Sequence, residues 1–178
     1  MGHKHRVEIP GGLYHVTARG NAQATIFVDD VDYVEFLRML EAVVSQYRWL
    51  THAYSLLPNH YHLLVETPDA NLADGMHRLN GRYARRFNQR YRRFGHVFQG
   101  PYGAQVVERD EHLQEAYRYV VLNPVRAGLC ERFEDWPWTF VDAEIIRELF
   151  GSVEAFRAFV ADGVQRPQPG LNQVAASA

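Results

Sequence analysis

The sequence predicts an α+β fold, an antiparallel sheet with helices on one face, and three observations predict it. Strand-like runs recur at residues 13–19, 50–57, 60–67 and 104–108. Stretches with helical apolar spacing separate the first run from the second and the third from the fourth. Only Pro58-Asn59 lies between the second and third runs, so these two are antiparallel neighbours. The resulting order, β-α-β-β-α-β, is that of a ferredoxin-like sandwich, and it leaves the second sheet face free for a ligand.

Each element has a local reason. Gly11-Gly12 opens the first strand, Leu13 to Arg19. Alternation puts Tyr14, Val16 and Ala18 on one face and Leu13, His15, Thr17 and Arg19 on the other. Asp29 or Asp30 caps the first helix, whose Val34, Leu37, Leu40, Ala42, Val43 and Val44 are spaced for one buried side, ending near Arg48. Leu50–Leu57 and His60–Thr67 are the paired strands, and Pro68-Asp69 stops the second of them. Leu72 to Gln89 reads as the second helix, followed by a glycine-rich loop over 95–103. Ala104 to Glu108 is a short strand. A third helix starts at Asp110, runs to about Val121 and is broken at Pro124. Trp136 and Trp138 are read as core that locks this helix in place. One acidic helix is expected over 141–162. Residues 163–178, with almost no core-forming side chains, read as a flexible tail. Residues 1–140 then form the main domain.

Composition bounds the class. The chain has 178 residues, 47% of them hydrophobic, which suits one compact domain. Its single cysteine, Cys130, excludes an internal disulfide and any cysteine-rich zinc site, and fits a reducing cytoplasm. No apolar run approaches the ~18 residues of a membrane span. The basic start, with no apolar stretch after it, does not read as a signal peptide. Net charge is −2, but the charge is uneven. The first 130 residues hold 15 Lys and Arg against 13 Asp and Glu, and the rest hold 4 against 8. Arg78 to Arg93 contains seven arginines and no acid. Such a local patch steers a polyanion whatever the global average.

Two clusters carry chemistry. In Asn59-His60-Tyr61-His62-Leu63-Leu64-Val65 the histidines are two apart on a strand. They therefore project to one side, with Cα atoms roughly 6.5–7 Å apart, and their imidazoles can converge on one ion. Alone, this pattern also describes two hydrogen-bonded histidines. In Glu115–Pro124, Tyr119 and Asn123 are four apart and share a helix face about one turn, ~5–6 Å, from each other. Tyr117 points elsewhere. Alone, either tyrosine is equally a core residue. Along the second helix Arg78, Arg82, Arg85, Arg86 and Arg90 recur at helical spacing and can follow a phosphate backbone. Among them stand Tyr83, Phe87, Tyr91 and Phe94, aromatics that pack inward or stack on unpaired bases.

Four stretches together resemble the HUH tyrosine transposases, in the IS200-like branch of REP-associated tyrosine transposases. They are Gly11-Gly12-Leu13-Tyr14-His15-Val16-Thr17-Ala18-Arg19-Gly20-Asn21, Leu57-Pro58-Asn59-His60-Tyr61-His62-Leu63-Leu64-Val65, Gly95-His96-Val97-Phe98-Gln99-Gly100, and Tyr119-Val120-Val121-Leu122-Asn123-Pro124-Val125-Arg126-Ala127-Gly128-Leu129. With Trp136-Pro137-Trp138 they span about residues 6 to 140. The resemblance implies that His60 and His62 bind a divalent metal, Mg²⁺ or Mn²⁺, with Asn123 as third ligand. It implies that Tyr119, on a catalytic-tyrosine helix, is the nucleophile that cleaves and rejoins single-stranded DNA through a 5′-phosphotyrosine intermediate. The substrate it implies is single-stranded or hairpin DNA from a palindromic repeat. Arg19, Arg78, Arg82, Arg85, Arg86, Arg90 and Arg126 are the expected DNA contacts, with His15 and Thr17 behind the metal ligands. A monomer is favoured over a homodimer, in the cytoplasm and on the nucleoid when bound to DNA. Two imidazoles suit manganese better than magnesium. The chain departs from the family at Gly100-Pro101-Tyr102-Gly103 and Gly20-Asn21-Ala22-Gln23, where relatives carry basic residues, which lowers expected phosphate affinity.

The rival readings are a domesticated transposase that binds DNA without moving it, a replication initiator or relaxase with the same histidine pair, and a non-catalytic ferredoxin-like nucleic-acid binder. A binder would expose aromatics on the open sheet face. The residues expected there are His15, Thr17, His60 and His62.

Overall fold

The computed structural model describes residues 8–108 and 111–164. Five strands, β1 (Gly12–Arg19), β2 (Leu50–Leu57), β3 (His60–Thr67), β4 (Gly103–Val106) and β5 (Thr139–Val141), form one antiparallel sheet in the order β4-β1-β3-β2-β5. The first four have the expected ferredoxin-like arrangement. β5 was not expected from sequence. It has three residues, too few for an alternation to show, and it extends the β2 edge opposite Ala53, Tyr54 and Ser55.

Helices α1 (Asp30–Tyr47) and α2 (Leu72–Tyr91) cover one face. Asp29 caps α1 by accepting from the backbone N–H groups of Val31 and Asp32, at 3.1 and 3.4 Å. The buried stripe of α1 is Tyr33, Phe36, Met39, Leu40 and Val43. Leu40 and Val43 are buried as expected and Leu37 and Val44 pack beside them, but Val34 is 54% exposed and Ala42 is exposed, and Tyr33, Phe36 and Met39 take up the rest of the stripe. The aromatic rings of Tyr33 and Phe36 decide which side turns inward, because they remove the most apolar area from water. The stripe shares one core with Tyr14, Val16, Ala18, Leu56, Tyr61, Leu63 and Val65 of the sheet and Met76, Leu79, Tyr83 and Phe87 of α2. Gly75 lets α2 come this close, since a Cβ there would lie 2.1 Å from a ring carbon of Trp49.

The second face is not free, as the sequence order had suggested. Helix α3 (Glu111–Arg126) lies across it with α4 (Ala143–Phe150) and α5 (Val153–Asp162) behind. Leu13, Ala53 and Leu64 join Leu113, Ala116, Tyr117, Val120 and Val121 in a second core, closed by Ile146, Phe156 and Val160. α3 runs past Pro124 to Arg126. The proline removes one donor in the last turn, and that turn is completed by Ala127 N–H to Asn123 O at 2.9 Å and Leu129 N–H to Pro124 O at 2.9 Å. Its expected start, Asp110, lies outside the described residues.

The single C-terminal helix expected over 141–162 is two helices, capped separately by Asp142 and Ser152 and divided at Gly151, whose φ of 78° ends α4. From residue 165 the expected tail lies outside the described residues. Trp136 and Trp138 pack on the α1 side, not against α3. Trp138 stacks on Tyr33 with ring centroids 4.5 Å apart, and the Trp136 indole N–H donates to Leu56 O at 2.8 Å. Among the described residues, no helix is long and apolar enough to cross a membrane.

Candidate active site

β1 and β3 run antiparallel with Thr17 opposite His62 and Arg19 opposite His60. Directly opposed residues share a face, so His15, Thr17, Arg19, His60 and His62 all lie on the side that α3 covers. The His15 and His62 rings are joined, Nε2 to Nδ1, at 3.0 Å. His60 Nδ1 meets Asn59 Oδ1 at 2.7 Å. An amide oxygen only accepts, so His60 Nδ1 carries the proton and its Nε2 keeps a lone pair. His62 Nε2 is buried with no hydrogen-bond partner. An orphaned buried nitrogen beside a second available imidazole is the donor arrangement that a metal ion completes.

Burial keeps these rings uncharged. Desolvation lowers the pKa of His15 to about 4. Desolvation, helped by the Arg19 guanidinium, lowers that of His60 to about 4. His62 is held well below its ordinary value by desolvation, then by His15, His60 and Arg19. Only the neutral imidazole binds a metal. Among the described residues no group of three His, Cys, Asp or Glu could hold a metal ion. Any further side-chain ligand would be of another type, and the helix above carries the Asn123 amide. The buried Asn123 side-chain N–H₂ donates to Tyr119 O at 2.7 Å, which leaves Oδ1 as its acceptor.

Tyr119 comes down from α3 onto this cluster. It is 2% exposed, and its ring lies edge-on to His15 at 5.3 Å and to His62 at 5.5 Å between centroids. Arg126, seven residues on, lies on the same helix face. Burial lowers the Arg126 pKa, and the Tyr119 side chain pulls it the other way. Arg126 Nη2 donates to Gly163 O at 3.2 Å, while Nη1 is buried without a hydrogen-bond partner. Tyr117 faces away. It is fully buried, its hydroxyl meets His52 Nδ1 at 2.8 Å, and desolvation raises its pKa far above the ordinary value. His52 Nε2 is 3.4 Å from Glu66 Oε2. The register shift between Thr51 and Ala53 turns His52 towards α3.

The structure thus brings together His15, Thr17, Arg19, His60, His62 and Tyr119, with Asn123 and Arg126 further along α3 beside Tyr119. It does not bring the α2 arginines with them, because α2 lies on the opposite face of the sheet. Those arginines also divide. Arg78, Arg82 and Arg85 line an open cleft of about 510 Å³ with Tyr47, Asp74 and His77. Arg90 is gripped by Asp29 and Asp32 at 2.7 and 2.6 Å, and Arg86 lies 3.7 Å from Glu35, so both tie α2 to α1. The sequence reading missed Asn59, which sets the His60 tautomer, and the link from His52 to Tyr117. Only the adjacency of Asn59 to His60 could have signalled the first.

Comparison with known proteins bears on the family and the fold. The family described as IS200-like transposases matches residues 10–123. A protein of Haemophilus influenzae Rd bearing the description REP-associated tyrosine transposase is 28% identical over 153 residues, 79% of this chain and 85% of that one. A solved REP-associated tyrosine transposase, bound to a REP hairpin, superposes with a TM-score of 0.69 at 18% identity over 84% of this chain and 88% of that one. At that identity the superposition speaks for the fold. The family match runs from before β1 to Asn123, short of Arg126 in the last turn of α3, and the chain belongs to the IS200-like transposase family.

Proposed function

We propose that this transposase cleaves and rejoins one strand of hairpin DNA, of the class to which the REP hairpin bound by its solved structural neighbour belongs, with Tyr119 as nucleophile. The observation that carries the reading is the seating of the Tyr119 ring against His15 and His62, residues remote in sequence. The Tyr119 oxygen attacks the scissile phosphorus in line. The bond to the 3′-oxygen breaks, that oxygen takes a proton, and the 5′-phosphate stays on the tyrosine. A 3′-hydroxyl attacking the phosphotyrosine reverses these changes and joins the strand, so no external energy source is needed.

His60, His62 and Asn123 would hold a divalent ion, Mg²⁺ or Mn²⁺, which when bound supplies Lewis-acid withdrawal of charge from the scissile phosphate. His15 holds the His62 ring in orientation, and Thr17 stands opposite it on β1. Arg19, exposed beside His60, and Arg126, on the Tyr119 face of α3, are positioned for phosphate oxygens and for the negative charge that develops as the phenol loses its proton. Arg78, Arg82 and Arg85 hold DNA beyond the site, with Arg86 and Arg90 at the edge of that surface. Residues 1–140 act as the catalytic unit and 141–162 as a brace behind α3. Because one chain supplies both the phenol and the imidazoles, a monomer suffices. The reading places the enzyme in the cytoplasm and on the nucleoid.

The test is a covalent adduct. Labelled hairpin DNA mixed with the protein and Mn²⁺ should give a protein–DNA band on a denaturing gel. Tyr119→Phe should abolish it and Tyr117→Phe should keep it. Loss only in Tyr117→Phe would sink the assignment.

A further inference from the structure

Phe94 sits apart from the other aromatic residues of the arginine-rich segment. Tyr83 and Phe87 are buried in the first core. Tyr91 is half-buried and donates to Asp32 at 2.8 Å. Phe94 is 98% exposed, whereas the other exposed large hydrophobic side chains among the described residues show between 37 and 55% of their surface. An exposed Leu or Val is ordinary, but a wholly solvated phenylalanine removes no apolar area from water on folding.

The loop that carries it is firmly held. Arg93 N–H donates to Asn88 O at 2.9 Å, and the Asn88 side chain donates to Gly95 O at 2.9 Å. The Arg93 guanidinium packs over the Phe87 ring. Arg92, at the C-terminal cap of α2, takes φ of 49°. That left-handed position favours glycine, so an exposed cation stands where a less strained residue would serve the turn. Arg92, Arg93 and His96 are all exposed and adjoin Phe94 in sequence.

The loop also borders the active site. Phe98 pairs with Gly20, Asn21 N–H donates to Val97 O at 2.8 Å, and Gln99 N–H donates to Arg19 O at 2.9 Å. Arg19 is opposite His60 in the sheet. Phe94 is four residues before Phe98, hence within about 14 Å of it along the chain. A solvated ring on a loop with exposed arginines next to it in sequence, tied to the end of the sheet that holds His60, has the chemistry that binds unpaired nucleotides, in which an aromatic face stacks on a base and guanidinium groups neutralise the phosphates beside it.

The geometry points to Phe94 as a stacking platform for an unpaired base of the DNA strand, on the rim of the active site, with Arg92 and Arg93 holding the adjoining phosphates. This rests on the proposed action on single-stranded or hairpin DNA and names a contact for that substrate. It also places a base-binding aromatic outside the sheet face.

The experiment uses Tyr119→Phe protein, so that DNA stays intact, and a hairpin oligonucleotide with 2-aminopurine at each position in turn of an unpaired flank. Binding should change the 2-aminopurine fluorescence at one position. Phe94→Ala should remove that change and weaken binding of the flanked hairpin roughly 5- to 100-fold, while Phe94→Tyr keeps both. The hairpin without a flank should bind Phe94→Ala and Phe94 proteins equally. Equal binding of the flanked hairpin by Phe94→Ala overturns the proposal, as does a loss that is the same with and without the flank, or an altered oligomeric state with unchanged DNA affinity. Adduct formation by the Tyr119 protein is followed in parallel. An adduct without a Phe94 effect defeats the stacking role alone, whereas no binding and no adduct defeats the proposed function with it.

Discussion

At the scale of single residues, the site is a chain of tautomers. Asn59 Oδ1 accepts from His60, and for His62 to offer Nε2 its Nδ1 proton must point at His15. Replacing His62 by Ala should abolish both Mn²⁺ binding, followed by calorimetry, and adduct formation. His15→Ala should weaken Mn²⁺ binding less, by about 10- to 100-fold, as expected for a partner that only orients a ligand. The same rings give a pH signature. His15 and His60 have folded pKa values lowered to about 4 from 6.5, and His62 is also held well below 6.5. Between these values the unfolded chain binds more protons than the folded one, so stability increases with pH across the window. Metal-free protein should therefore lose melting temperature as pH falls from 6.5 towards 4. His15→Gln should make the loss shallower, and an unchanged slope in that variant would contradict the burial argument. Arg126→Gln, removing the cation coupled to Tyr119, should slow adduct formation by about 10- to 100-fold at saturating DNA.

At the scale of elements, α3 decides whether a phenol on one side of the second core meets imidazoles on the sheet. The contact from Tyr117 to His52, with Glu66 beyond, clips its first half to β2 and β3. Tyr117→Phe leaves His52 Nδ1 without that partner and should lower stability by about 1–3 kcal/mol in denaturant titration, with adduct chemistry retained. Much of this layer was legible in the sequence. β2 and β3 have the bounds that the Pro58-Asn59 turn implied, and the i, i+4 spacing paired Tyr119 with Asn123. What stayed hidden has physical causes. β5 is too short to show a period. Pro124 reads as a break because sequence does not reveal that only the last turn lies beyond it. Val34 follows a helical apolar pattern as well as Tyr33 does, and only the packed core chooses between them. The arginine stripe looked uniform because its partners, Asp29, Asp32 and Glu35, belong to a different helix.

At the scale of the whole molecule, the chemistry and the free arginine cleft lie on opposite sides of one sheet. The two should be separable. Replacing Arg78, Arg82 and Arg85 together by Ala should weaken DNA binding. It should also flatten the salt dependence by about 0.7 in log–log slope for each phosphate of a single strand that is no longer neutralised. The adduct rate at saturating DNA should stay unchanged, and a matching fall in that rate would mean the cleft and the tyrosine are coupled. The cover that α3, α4 and α5 lay over the second sheet face has a further effect. A polynucleotide cannot lie flat across that surface, because hydrophobic packing already occupies the half around Leu13, Ala53 and Leu64. It has to approach from the end where β1 finishes and β3 begins, and approach confined to one end of a covered sheet admits one flexible strand far more readily than a rigid double helix. Preference for melted over fully base-paired DNA would then follow from steric access before any nucleotide is read.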